Sequence, residues 1–206
     1  MSVEKIERKI SVIFATDVVD YSLHMEKDET GTVTSLRTYE KILKEAFKKH
    51  GGRLFNTGGD SFMAEFSSAV KAVECAIDFQ NIVKEKNIKP ALSFRIGINA
   101  GDVILEKKNL LGDGVNVAAR LEQLSQPDGI TISKSIFDYI EGKLDLKIQD
   151  LGIQQVKQNR FHAFDILLDP AQKRDFKKKK YNLKIVVIVG LSLLFGVAYY
   201  LSLIHI

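Results

Sequence analysis

The sequence predicts an α+β domain, a sheet with helices packed on one face, followed by a separate apolar span. Three observations point to it. Short apolar runs take turns with longer stretches that carry an apolar stripe at helical spacing. A glycine-rich turn between two of the short runs marks an early hairpin. The uncharged stretch from Ile185 to Ile204 stands apart from everything before it. With 45% hydrophobic and 27% charged residues, the 206-residue chain has the composition of a folded protein and enough length to bury a core.

The elements follow in order. Ile10 to Thr16, with Val12, Ile13 and Phe14, reads as a buried strand. Thr30 to His50 carries Val33, Leu36, Tyr39, Leu43 and Phe47 at helical spacing and ends at Gly51-Gly52, a suitable stop. Arg53 to Asn56 and Phe62 to Phe66 flank Thr57-Gly58-Gly59-Asp60-Ser61, a hairpin. Ser67 to Lys86 is a second amphipathic helix, with Val70, Val73, Ile77 and Val83 on its stripe. Leu92 to Leu105 is a strand broken at Gly101-Asp102, Gly114 to Leu124 a helix, Ile130 to Ser133 a strand, and Leu146 to Leu168 a set of short strands. The predicted organisation is a globular domain over 1–169, a basic linker over 170–184 and a transmembrane helix over 185–204.

The last of these rests on length and charge. Ile185 to Ile204 holds no charged residue, and about 20 residues span roughly 30 Å as a helix, the thickness of a bilayer's hydrocarbon. Lysines stand before it, so the basic flank and the domain are expected on the cytoplasmic side of a membrane. The N-terminus, MSVEKIERKISVIF, shows no apolar signal region. The formal net charge of +4 comes from this flank, where Lys173, Arg174, Lys177, Lys178, Lys179, Lys180 and Lys184 crowd together. A local basic device of that kind does not read as a nucleic-acid-binding face. Cys75 is the only cysteine and falls on a predicted helix, where a small buried hydrophobe is expected. The four histidines have no metal-ligand spacing.

Two aspartates carry the first chemical signal. Asp17 closes the first strand, and Asp60 sits in the glycine-rich turn. A carboxylate at a strand end is held by the sheet, and one in such a turn can approach a ligand closely. Two of them side by side repel unless divalent cations lie between them, which suits Mg²⁺ ions bound by few carboxylates and by substrate phosphates. Either aspartate alone also fits ordinary turn geometry. A third element is the helix over GDGVNVAARLE, where Asn116 and Arg120 stand four apart and share a face. An amide suits a sugar hydroxyl and a guanidinium suits a phosphoryl oxygen, though the same spacing also fits a capped helix with an exposed arginine.

The segments FATDVVDYS, HGGRLFNTGGDSFMAEF, FRIGINAGDVI, GDGVNVAARLE and DLGIQQVK appear here in the order found in class III adenylate/guanylate cyclases. From about Ile10 to Leu168 the chain resembles that family. The resemblance implies a ferredoxin-like domain working as a head-to-tail homodimer with active sites at the interface. It implies two Mg²⁺ or Mn²⁺ ions on Asp17, Asp60 and the carbonyl of Val18. Asn116 is similar to the family's ribose-orienting asparagine, Arg120 to its transition-state arginine and Lys157 to its phosphate-binding lysine. The implied reaction converts a nucleoside triphosphate to a 3′,5′-cyclic nucleotide and pyrophosphate.

Three positions depart from the family pattern. Asn56 stands where adenylate cyclases carry a base-reading lysine, and Asn109 where they carry an aspartate. Two carboxamides can each donate and accept, and so can pair with the edge of uracil or cytosine. The family also includes pyrimidine cyclases of bacterial antiphage signalling, so UTP or CTP is the expected substrate, with ATP or GTP the alternative. Asp20 replaces a glycine usual in the loop facing the triphosphate. These departures also leave open a silent, nucleotide-binding membrane sensor.

Overall fold

The computed structural model describes residues 6–175. The predicted transmembrane span at 185–204, and most of the basic stretch before it, lie outside them. Among the described residues no helix is long and apolar enough to cross a membrane. A compact unit runs to Lys173, slightly past the predicted boundary at 169. The reason is local: Asp169 and Gln172 cap a 3₁₀ turn over Pro170–Gln172, and the Gln172 amide donates to the Asp128 carbonyl at 3.1 Å.

The sheet is built on β1 (Glu7–Val18) and β4 (Phe94–Glu106), which pair antiparallel along nearly their whole length. On one side β1 is followed by β3 (Ser61–Phe66) and then β2 (Arg53–Gly58). On the other side β4 is followed by β6 (Ile130–Ser133), in parallel, and then by β8 (Asn159–Ile166) and β7 (Ile148–Val156). The short β5 (Asn109–Leu111) pairs with the end of β4. β4 is continuous through Gly101-Asp102, where a break was expected, because both residues stay in register with Ser11 and Ile10 of β1.

The helices lie on both faces, not on one. α2 (Glu29–His50), α3 (Ala69–Glu85) and α5 (Lys134–Ile140) bury their apolar sides with Val12, Phe14 and Val18 of β1. α4 (Asp113–Leu124) covers the other face, where Val115 and Ala118 pack with Ile13 and Ala15. Strand alternation makes this possible: β1 is apolar in both parities, so both faces demand cover. The expected stripe on α3 is also shifted. Its fully buried residues are Ala72, Val73, Cys75, Ala76 and Phe79, while Val70, Ile77 and Val83 sit at the margin. Burial pushes the Cys75 thiol up to about 12, so it is an inert core group.

Aromatic packing stiffens the end of the sheet that matters below. Phe94, the register partner of Val18, lies edge-on to Tyr39 of α2 at 5.2 Å and to Phe79 of α3 at 5.1 Å between centroids. Contacts of this kind add about 0.5–1.5 kcal/mol each beyond their buried area. Two short helices escaped the sequence reading, α5 and α1 (Tyr21–Lys27), because seven residues are too few to show a period.

Candidate active site

Asp17 falls in β1 with the parity of Ile13 and Ala15, so its side chain emerges on the α4 face. Its register partner across the β1–β4 ladder is Arg95. The two side chains meet as directly opposed neighbours do. The guanidinium grips both carboxylate oxygens: NH2 donates to Oδ2 at 2.9 Å and to Oδ1 at 3.1 Å, and Nε donates to Oδ1 at 3.1 Å.

Asp60 reaches the same place from the neighbouring hairpin. Gly58 and Ser61 are paired, which leaves Gly59 and Asp60 as a two-residue turn, with Gly59 at φ 66°. Because β3 runs beside β1, with Phe62 opposite Thr16, the turn lies beyond the Asp17 end of the sheet. Burial raises the Asp60 carboxyl above its ordinary value, and the negative charge of Asp17 raises it further, against an opposing pull from Arg95. The two aspartates therefore lie close enough to feel one another's charge.

A third carboxylate joins them. Glu122 of α4 is buried, with 7% exposure, and its Oε1 lies 3.2 Å from Arg95 Nε. Its carboxyl is pushed up to about 8, first by burial and then by the hydrogen bond and charge of Asp17, with Arg95 pulling the other way. α4 can come this close because β4 has a glycine under it. A Cβ on Gly97 would stand 2.2 Å from the Glu122 backbone nitrogen and 2.3 Å from the Ala118 carbonyl oxygen. Asp20 lies within electrostatic reach: burial works to lower the Arg95 pKa, but Asp17, then Glu122, then Asp20 outweigh it and hold it above its ordinary value. The Asp20 backbone is left-handed, φ 52° and ψ 35°, at the start of α1. A glycine suits that geometry, and aspartate is among the few other residues that tolerate it.

The remaining predicted residues gather elsewhere. Asn116 is exposed on α4, and Arg120 NH1 donates to Gln123 at 3.1 Å, while its Nε is buried with no hydrogen-bond partner. Lys157 is exposed in the two-residue turn of the β7–β8 hairpin, at φ 54°. That hairpin touches the start of α4, where Asn159 Nδ2 donates to Asp113 Oδ1 at 3.1 Å. The β7–β8 turn that carries Lys157 thus sits beside the first turn of α4, the helix that carries Asn116 and Arg120, and the far end of that helix, at Glu122, adjoins Asp17. Asn56 lies exposed on β2 just after a bulge, and Asn109 is half-buried on β5. Arg53 ties the two regions by donating to the Lys108 carbonyl at 2.9 Å. Asn109 Oδ1 already accepts from the Leu110 amide at 2.9 Å, which leaves its Nδ2 as the donor for a ligand.

Arg95 and Glu122 were not anticipated. Both carried a signal, since each is a charged residue set among apolar ones, Arg95 in FRIGI and Glu122 on the side of α4 that buries Ala118 and Leu121. No cluster of three or more His, Cys, Asp or Glu suited to a metal occurs among the described residues. A cleft of about 660 Å³, bounded by Ile10, Ser68 and Tyr139, adjoins the opposite end of β1 from Asp17.

Comparison with known proteins agrees with this geometry. Residues 2–169 match the family described as the adenylate and guanylate cyclase catalytic domain, and the chain belongs to that family. A Rhizobium meliloti (strain 1021) protein named, provisionally, adenylate cyclase 3 is 41% identical over 162 residues, 76% of this chain. The matched region is 28% of that relative's length. Among solved structures, an adenylate/guanylate cyclase/hydrolase from Silicibacter pomeroyi superposes with a TM-score of 0.73 at 32% identity, over 80% of this chain and 100% of its own. The adenylyl cyclase CyaB from P. aeruginosa shares the fold, with a TM-score of 0.70 at 22% identity, over 83% of this chain and 100% of its own.

Proposed function

We propose that the chain is a nucleotidyl cyclase that closes a nucleoside triphosphate into a 3′,5′-cyclic nucleotide and releases pyrophosphate. One observation carries the reading: in a chain of this family, Asp17 at the end of β1 and Asp60 in the β2–β3 turn lie at the same end of the sheet. The donor set fits divalent cations, since two carboxylates and the carbonyl of Val18 at the end of β1 are hard oxygen ligands with room left for phosphates. Asp17, Asp60 and the Val18 carbonyl would hold two Mg²⁺ or Mn²⁺ ions, which would supply activation of the ribose 3′-hydroxyl and charge neutralisation for the departing pyrophosphate.

The chain's own residues do the rest. The 3′-oxygen forms its bond to the α-phosphorus as the bond from that phosphorus to the β-phosphate bridge breaks. Asn116 orients the ribose. Arg120 meets charge that develops on the α-phosphoryl oxygens, so it acts on turnover more than on binding. Lys157 holds the terminal phosphates, and Arg95, once Asp17 engages a cation, has NH groups to offer a phosphate oxygen. The exposure of Asn116 and Lys157 fits a head-to-tail homodimer, each protomer lending Asn116, Arg120 and Lys157 to its partner's site.

The base is read by Asn56 and Asn109. The Nδ2 donor that Asn109 has to spare matches a carbonyl of uracil or cytosine, which supports UTP or CTP and, with them, a role in antiphage signalling. The names of the relatives favour ATP as the second reading. The apolar stretch 185–204 supports anchoring of the domain at the cytoplasmic side of a membrane. The test is to incubate the full-length protein in detergent with Mn²⁺ or Mg²⁺ and each of ATP, GTP, UTP and CTP separately, and to identify products by mass. One cyclic nucleotide with matching pyrophosphate is expected, absent in Asp60→Asn. Tight nucleotide binding with no product from any of the four would favour the silent sensor instead.

A further inference from the structure

Arg95 presents a puzzle that the proposed chemistry sharpens. In this structure its guanidinium is held mainly by Asp17, the residue that the cyclase reading assigns to a cation. A cation that takes the Asp17 carboxylate removes the chief partner of a guanidinium with 27% side-chain exposure. Leaving such a half-buried charge unpaired is unfavourable. Something else must receive it.

The geometry points to Glu122. The Nε–H of Arg95 stands between two acceptors, Asp17 Oδ1 at 3.1 Å and Glu122 Oε1 at 3.2 Å. Only the first is a hydrogen bond: Glu122 Oε1 lies within ion-pair distance, is buried, and has no hydrogen-bond partner of its own, while the Glu122 carboxyl is otherwise held by Asp17. A small turn of the Arg95 side chain would satisfy both groups at once. Glu122 cannot drift away, because the turn from Ala118 to Glu122 is seated on β4 at Gly97, where even a Cβ has no room. Gly97 lies two residues along the strand from Arg95, on the same face of the sheet.

We propose that Glu122 is a positioning residue that accepts Arg95 when Asp17 turns to a divalent cation. Asp17 and Glu122 act as alternate partners of one guanidinium, so that cation binding is a hand-over of Arg95 from β1 to α4. The hand-over also leaves Arg95 beside the cations, where the triphosphate lies in the cyclase reading on which this inference rests. It assigns the buried carboxylate a purpose: a fixed acceptor, kept in reserve by the helix.

The experiment is a double-mutant cycle on the full-length protein, read as Mn²⁺ affinity without nucleotide from the electron paramagnetic resonance of free Mn²⁺. Glu122→Gln keeps the side chain's shape and removes the carboxylate to which Arg95 would turn once Asp17 engages the cation. It is expected to weaken Mn²⁺ binding roughly tenfold, since Arg95 then clings to Asp17. Glu122→Asp, which keeps the charge, should recover part of the loss. In an Arg95→Met background, Glu122→Gln should change Mn²⁺ affinity less than twofold, because there is nothing left to hand over. An equal weakening in both backgrounds, or none in either, overturns the proposal. Thermal melting of each variant identifies any that fails to fold, and for such a variant the Glu122→Asp and Arg95→Lys pair supplies the cycle. Failure of the cyclase reading looks different, as no cyclic product from any triphosphate, whatever the Mn²⁺ cycle gives.

Discussion

The two halves of the candidate catalytic set differ in how finished they are. Asp17, Asp60, Arg95 and Glu122 form a dense, partly buried cluster in which acid and base already answer one another. Asn116 and Lys157 stand exposed on α4 and the β7–β8 turn, and Arg120 reaches only a neighbouring glutamine. The first half is assembled within the chain by a strand ladder and a hairpin. The second is displayed at a surface, with a buried Arg120 Nε left unsatisfied. A half-site that is solvated and unpaired in one copy is what an interfacial enzyme would offer to another.

The comparison breaks most readily at the metal half. Asp60→Asn or Asp17→Asn should lower cyclase turnover by about 10³-fold or more, measured as pyrophosphate release. Arg120→Ala should cost on the order of 10²–10³ in kcat with little change in KM, because it acts on charge formed in the transition state. Mixing two inactive proteins, Asp60→Asn and Arg120→Ala, sharpens the division. If the halves meet across a dimer, mixed pairs contain one intact site and the mixture should recover up to about a quarter of wild-type activity. No recovery after exchange of subunits would place both halves in one chain.

Smaller effects test the scaffold. Gly97→Ala should destabilise the domain by about 2–4 kcal/mol in urea unfolding, since backbone of α4 blocks the new methyl. Glu65 offers a pH test at the sheet's other end. Burial works to raise its carboxyl, but Lys9, Ser11 and Arg53 outweigh this and hold it at about 2, against an ordinary value of 4.5. Its contribution is therefore present above pH 4.5 and is lost as pH falls towards 2. Glu65→Gln should cost about 1–3 kcal/mol at pH 7, and the gap to wild type should close at about pH 2.

Much of this was legible in the residues themselves. The first strand, the two long helices, the glycine hairpin and the Asn116–Arg120 helix announce themselves by period and by turn chemistry, which are local. Asp17 and Asp60 were legible for the same reason, one at a strand's end and one in a tight turn. Asp20 looked anomalous in sequence and is explained by its left-handed backbone.

What the sequence determined alone was the set of local elements and the choice of candidate site groups, because both depend on short spacings. Only the tertiary structure decided which groups meet. That α4 crosses the face opposite the other helices, that Gly97 lets it settle on β4, and that Arg95 consequently lies between Asp17 and Glu122 are facts of strand register and close packing. Such contacts join residues distant in the chain, and no local period encodes them.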